Sequence, residues 1–163
     1  MSAQPPTLSP SARKVQEVLS QRGYPHLEVR EYPQSTRTAQ EAAQAIGCTV
    51  GQIVKSLIFR GAQSGKPYLL LVSGLNRVNP HRLEESLGEP LEKPDAEYVR
   101  RVSGFAIGGV PPVGHAEAME VRIDPDLLTH DRIFAAAGTP NAIFGLSPEE
   151  LLKLTGGQIT PVQ

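Results

Sequence analysis

Residues 38–60, TAQEAAQAIGCTVGQIVKSLIFR, constrain this chain more than any other stretch: they hold two helix starts, a glycine stop and one lysine inside an apolar run. Thr38 and Glu41 have the spacing of a capping box, in which hydroxyl and carboxylate each satisfy a free backbone donor at a helix start. A helix therefore opens at Thr38 and ends near Gly47. Thr49 and Gln52 repeat the spacing, so a second helical turn precedes residues 53–59, whose β-branched and apolar side chains read as a strand. Lys55 lies at that junction.

The two-residue period of a strand puts Lys55 on the face of Ile53, Leu57 and Phe59, and the apolar character of those neighbours predicts that this face is the interior one. A lysine held against apolar walls loses water, so its pKa shifts or it meets an anion with little screening. A lysine that guards an edge strand, or one that reaches out to water, satisfies the same pattern. The segment alone leaves both readings open.

Length and charge narrow the classes. A chain of 163 residues suits one domain with a real core, and 39% hydrophobic against 20% charged residues places it among globular rather than disordered chains. Its formal net charge of -1 supplies no global basic field, so any nucleic-acid contact must use a local patch. Arg37, Arg77, Lys93, Arg100 and Arg101 are the candidates, and a solvated surface explains them equally well. Cys48 is the sole cysteine, which excludes an internal disulfide; following Gly47 with no activating neighbour, it reads as a packed thiol. The start MSAQPPTLSPS lacks the features of a signal peptide and no run has the length of a membrane span, so the reading is a soluble cytoplasmic protein.

Residues 1–8, polar and proline-rich, read as a flexible lead-in to a domain over 9–163. Ser9 and Pro10 open a helix with Ala12, Val15, Val18 and Leu19 on one side, closed by Gly23. Residues 26–32 alternate as a strand ended by Pro33. Residues 68–73 form a continuous apolar run, typical of a strand buried on both faces, and Phe59 and Tyr68 flank the turn of an antiparallel hairpin. Asn79 and Asp95 cap helices that stop at Gly88 and Gly104. Short strands are predicted over 120–123, 133–137 and 142–146, and Ser147, Pro148 and Glu150 start a last helix that Gly156 stops. Without regular βαβ alternation, the inference is an α+β domain around a mixed, largely antiparallel sheet.

The chemistry left is sparse. Histidines 26, 81, 115 and 130 lack metal-ligand spacing, and no Gly-x-Ser-x-Gly elbow accompanies Ser73 and Gly74. No metal or cofactor is expected. Residues 104–115, GFAIGGVPPVGH, pair glycines that free the backbone with prolines that stiffen it, which suits either a loop presenting its peptide groups to a ligand or a plain corner between strands. No Gly-Lys-Ser/Thr follows, so it is not a Walker-type phosphate loop. One lysine, this loop and His115 at its exit favour electrostatic and positional catalysis. His115 is open to two readings, a proton carrier or an incidental residue.

Four segments together resemble the YbaK/ProX family of aminoacyl-tRNA editing domains, also found inserted in bacterial prolyl-tRNA synthetases. They are Gln52-Ile53-Val54-Lys55-Ser56-Leu57, the run Val72-Ser73-Gly74 leading to Arg77-Val78-Asn79, the loop 104–114 and the tail 147–156. The resemblance covers residues 25–157 and implies a single domain with a barrel-like sheet surrounded by helices. It further implies a free-standing deacylase that hydrolyses the ester of a mischarged tRNA, with a small amino acid on tRNA(Pro) or a related tRNA.

By the same resemblance, Lys55 is the catalytic lysine, engaging the terminal phosphate or polarising the ester. Gly108, Gly109, Pro111, Pro112 and Gly114 would cradle the aminoacyl group, with Thr38, Ser56, Ser73, His115, Gly138, Thr139 and Asn141 as further substrate-binding positions. The partners implied are a mischarged aminoacyl-tRNA and, optionally, a synthetase, with no DNA or membrane. Some family members that clear alanine from proline tRNA carry asparagine after the lysine and histidine in the late turn; Ser56 and the turn 137–141, AGTPN, depart from that pattern. Two rivals remain: a non-catalytic module that binds aminoacyl-tRNA or assists a synthetase, and a small-molecule binding domain.

Overall fold

Side-chain caps and left-handed glycines set the boundaries of four of the five α-helices in the computed structural model, which describes residues 8–163. The lead-in expected over 1–8 falls outside the described residues except for Leu8, which packs on the core. Helix α1 (Pro10–Gln21) carries proline in its first turn and buries Ala12, Val15 and Leu19. In α2 (Ala39–Ile46) both halves of the Thr38–Glu41 capping box form, and Gly47 ends the helix at φ 83°. The second capping box, Thr49 with Gln52, opens a 3-10 turn at Val50–Gln52. Helices α3 (Pro80–Leu87), α4 (Ala96–Ser103) and α5 (Pro148–Thr155) are capped by Asn79, Asp95 and Ser147 and closed by Gly88, Gly104 and Gly156, all left-handed. Each such N-cap contributes about 1 kcal/mol, so these boundaries are local decisions.

The strands are β1 (Arg30–Glu31), β2 (Ile53–Gly61), β3 (Pro67–Ser73), β4 (Leu91–Glu92), β5 (Glu120–Ile123), β6 (Ile133–Ala136), β7 (Ala142–Leu146) and β8 (Gln158–Ile159). They run in the order β1-β7-β6-β2-β3-β5-β8, with β4 on the end of β2. The α+β expectation holds, with two refinements. Four pairings are antiparallel and three parallel, so the sheet is mixed, and its path is open where a closed barrel would join the two ends.

β2 and β3 form the hairpin that the sequence predicts, with Phe59 opposite Tyr68 and Lys55 opposite Val72. Tyr68, Leu69, Leu70, Leu71 and Val72 are all fully buried, as a strand covered on both faces requires. Fully burying each such side chain contributes about 1.5–3 kcal/mol as an upper estimate, which makes β3 the sheet's anchor.

The face assignment of β2 is corrected. Its main-core face carries Val54 and Ile58, packed with Leu69, Leu71 and the buried side of α1; Leu57 and Phe59, on the Lys55 face, are half-buried beside the smaller cluster of Leu70, Val72, Leu83 and Val162. Alternation cannot tell these faces apart, because both are apolar and only the depth of the covering layer differs. The strand expected over 26–32 shrinks to β1. The Gln16 amide donates to Leu27 O (2.9 Å) and accepts from Val29 N (2.8 Å), taking those backbone groups out of any ladder. The two-residue strands β4 and β8 carry no sequence signal of their own.

Glu89 fixes the hairpin's far end. Its buried carboxylate accepts from Gln63 N, Ser64 N, Ser64 Oγ and the Tyr68 hydroxyl, at 2.7–2.9 Å. A Cβ on Gly61 would lie 2.5 Å from Glu89 Oε1, so only glycine admits this approach. The Ser64 amide, the Tyr68 hydroxyl, the Ser64 hydroxyl and the Gln63 amide outweigh burial and hold the carboxyl down to about 2, from an ordinary 4.5. Burial, then Glu89, pushes Tyr68 up to about 12. A depressed folded-state pKa means that Glu89's contribution is present above about pH 4.5 and is lost as pH falls towards 2. Glu89→Gln should therefore melt lower than the native protein at neutral pH, and the gap should narrow through that acid window; a gap independent of pH would refute the ionised-carboxylate account.

Candidate functional site

Lys55 and the glycine–proline loop meet in one cleft. Its volume is about 660 Å³. The start of β2 supplies Lys55 and Ser56, the turn after β3 supplies Gly74 to Arg77, the entry to α2 supplies Thr36 to Gln40, and the loop supplies Ile107, Gly108 and Val110. The lining holds three cations, Arg37, Lys55 and Arg77, and no aspartate, glutamate or histidine. A chain of net charge -1 gathers three cations around one cleft, with Lys55 half-buried and Arg37 and Arg77 exposed.

The Lys55 ammonium donates to the carbonyl of Asn76. Burial, then Arg77, pulls its pKa below the ordinary lysine value, and Asp124 works in the opposite direction. Lysine carries three donors, so two stay available to a ligand. Arg37 and Arg77 form no ion pair among the described residues. Arg37 crosses directly over Gly108: a Cβ there would lie 2.6 Å from its Cγ, and Gly108 also has φ 91°. Glycine thus brings loop backbone and guanidinium stem together. Gly74 is equally constrained, since a Cβ would lie 2.3 Å from Val50 O. Leu75 and Ile107 give the cleft an apolar rim, 74% and 46% exposed.

Of the positions singled out in the sequence, Lys55, Thr38, Ser56 and Gly108 line the cleft. Ser56 Oγ is buried without a hydrogen-bond partner among the described residues. The others lie outside the lining, several of them bracing it. Ser73 Oγ donates to Gly51 O at 2.7 Å. Gly109 packs on the backbone of Thr139, 2.9 Å from a built Cβ, and its carbonyl accepts from Gly138 N. Thr139 bonds Asn141, whose amide donates to Tyr32 O at 3.1 Å, while Pro140 O accepts from Thr36 N at 2.7 Å. The late turn therefore holds the segment that carries Thr36 and Arg37.

Pro111, Pro112 and Gly114 lie away from the lining, where Gly114 turns at φ 83° against Val18. His115 Nε2 donates to Pro111 O at 2.7 Å, and burial lowers its pKa. One ring nitrogen is thus spent on stapling the loop. Cys48 is half-buried with its thiol pKa raised by burial, and His26 pairs with Glu150 at 2.7 Å.

Sequence reasoning gave no role to Thr36, Leu75, Asn76 or Ile107. Of the five basic residues that the sequence offers for a local patch, the cleft gathers Arg37 and Arg77, while Lys93, Arg100 and Arg101 lie outside it. Among the described residues no cluster of His, Cys, Asp or Glu is placed to hold a metal, and no helix is long and apolar enough to cross a membrane.

A solved structure provisionally described as a trans-editing enzyme for prolyl tRNA synthetase is 53% identical, with a TM-score of 0.92 over 96% of this chain and 99% of that one. The uncharacterized protein YwhH of Bacillus subtilis (strain 168) is 30% identical over 132 residues, 81% of this chain and 83% of that protein. EbsC of Enterococcus faecalis (strain ATCC 700802 / V583), provisionally named a Cys-tRNA(Pro)/Cys-tRNA(Cys) deacylase, is 24% identical over 126 residues, 77% of this chain and 76% of its own. Residues 33–154 match the model of the aminoacyl-tRNA editing domain, and the chain belongs to that family.

Proposed function

We propose that this protein is a trans-acting deacylase that hydrolyses the ester between a small, wrongly attached amino acid and the 3′ end of tRNA(Pro) or a related tRNA. One observation carries the reading: a partly apolar cleft holds three cations and no carboxylate, with a glycine-rich loop as one wall. Such a lining attracts a phosphate-bearing ligand and repels none of its charge. Family membership and the likeness to a described trans-editing enzyme support the same substrate class.

In this proposal Lys55 engages the terminal phosphate or the ester oxygen, using the two N–H groups not bound to Asn76. Charge developing on that oxygen in the tetrahedral transition state is stabilised by a preorganised ammonium in a site of restricted water. Arg37 and Arg77 hold the flanking phosphates, and Leu75 and Ile107 meet the faces of the terminal nucleoside. Water adds to the carbonyl carbon, the ester C–O bond breaks, and its oxygen leaves as the ribose hydroxyl. No protein carboxylate or imidazole lines the cleft, so the neighbouring ribose hydroxyl of the substrate relays the proton. Selectivity follows from size: a small cleft admits the smaller amino acid and excludes the larger correct one.

Lys55→Ala should lower kcat on mischarged tRNA by about 10²–10³-fold, the cost of removing one transition-state donor. A panel of Ala-, Ser- and Cys-charged tRNAs checks this and identifies the amino acid; undiminished turnover by the variant would remove Lys55 from the chemistry, and binding without turnover on every pairing would leave a recognition module. Binding to a single-stranded tRNA end should weaken with salt, log K falling against log salt with a slope of about -2 for three phosphate contacts. Arg37→Ala and Arg77→Ala should each reduce that slope by about 0.7, and a slope unmoved by both would exclude their phosphate contacts.

A further inference from the structure

Lys55 does not find its place alone. Its ammonium rests on the carbonyl of Asn76, in the turn that follows β3. The side-chain amide of that same residue donates at 2.7 Å to Asp124 Oδ2 and at 2.7 Å to Asp126 Oδ2. Asp124 is 2% exposed; its Oδ2 also accepts from Ser73 N at 3.0 Å, and its Oδ1 accepts from Asp126 N at 2.9 Å. The buried carboxylate is thus satisfied by three donors from three segments: the end of β3, the turn after it and the turn after β5.

This arrangement determines the orientation of Asn76. An amide has two N–H donors and one oxygen; the opposite flip would set that oxygen against two carboxylate oxygens. With the side chain clamped at both hydrogens, the backbone of Asn76 is fixed, and so is the carbonyl it shows to Lys55. A free lysine side chain carries rotamer entropy that must be lost when a ligand fixes it. Here that ordering precedes binding. The carbonyl takes one of the three ammonium donors, in a cleft that both residues line.

We propose that Asn76, gripped by Asp124 and Asp126, is a positioning residue that holds the Lys55 ammonium in its reactive direction through its own main-chain carbonyl. The inference rests on the deacylase reading for its effect on rate, but not for its geometry. The charged groups facing Lys55 are Arg77 and Asp124, with Arg37 in the same cleft and Asp126 acting through Asn76.

The test uses the full chain with Asn76→Ala and Asp126→Asn, each checked for folding by thermal melting. Two quantities are read: kcat and KM on mischarged tRNA, and the NMR resonances of the Lys55 side chain, assigned with Lys55→Arg. Asn76→Ala should lower kcat by about 10–100-fold, the scale of a misplaced catalytic group, with little change in KM, and should give Lys55 the resonances of a freely rotating lysine. Asp126→Asn keeps an acceptor but loses its charge, so its effects should fall between. If Asn76→Ala does not fold, Asp126→Asn decides. A folded Asn76→Ala with native kcat and native Lys55 resonances overturns the proposal, as does a loss confined to KM, or native resonances in Asp126→Asn when it alone can be tested. If Lys55→Ala keeps full activity while Asn76→Ala still frees the Lys55 resonances, the deacylase role of Lys55 fails and the positioning stands.

Discussion

Everything in the cleft depends on the antiparallel pairing of β2 with β3 in the register that sets Lys55 opposite Val72. From that pair the chain runs one residue further to Ser73 and then turns back over the lysine. The turn passes close to Val50, where Gly74 leaves no room for a Cβ. A shift of register by one residue would send the ammonium to the opposite face of the sheet, into the layer under α1. The burial of β3 on both faces makes such a slip costly, because each of its side chains has a filled place to lose.

Around this pairing the fold divides its polar groups into two kinds. One kind is spent internally: Glu89 gathers four donors at the far end of the hairpin, Asp124 gathers three beneath the cleft, and His115 staples the loop to itself. The other kind faces the cleft, where Lys55 keeps two donors free and Arg37 and Arg77 have no carboxylate partner among the described residues. The buried carboxylates of Glu89 and Asp124 are therefore satisfied inside the scaffold, while three cations line the cleft. The net charge of the whole chain hides this separation completely.

Much of the secondary structure was legible because its causes are local. Capping boxes at Thr38, Thr49 and Ser147 and left-handed glycines at 47, 88, 104 and 156 act within one helical turn. The Phe59–Tyr68 hairpin followed from a short turn between apolar runs. The strand around Arg30 is shorter than its alternation predicts because a glutamine fourteen residues earlier, Gln16, takes the backbone groups that the sequence pattern assigns to a ladder. At the cleft, Lys55 and Gly108 could be named in advance; Thr139, Asn141 and His115 could be named too, but their packing behind the lining could not.

The sequence by itself determined the caps and glycine stops of the helices and that β3 is covered on both sides, and it singled out one lysine and one glycine–proline loop as candidates. Only the tertiary structure decided which face of β2 is deeper, which arginines share the cleft with Lys55, and that Asn76 holds it. The reason is the range of the forces involved. Caps and positive-φ glycines are settled by neighbours a few residues away, whereas the bonds from Asn76 to Asp124 and Asp126 join positions 48 and 50 residues apart, which only the completed sheet brings within reach.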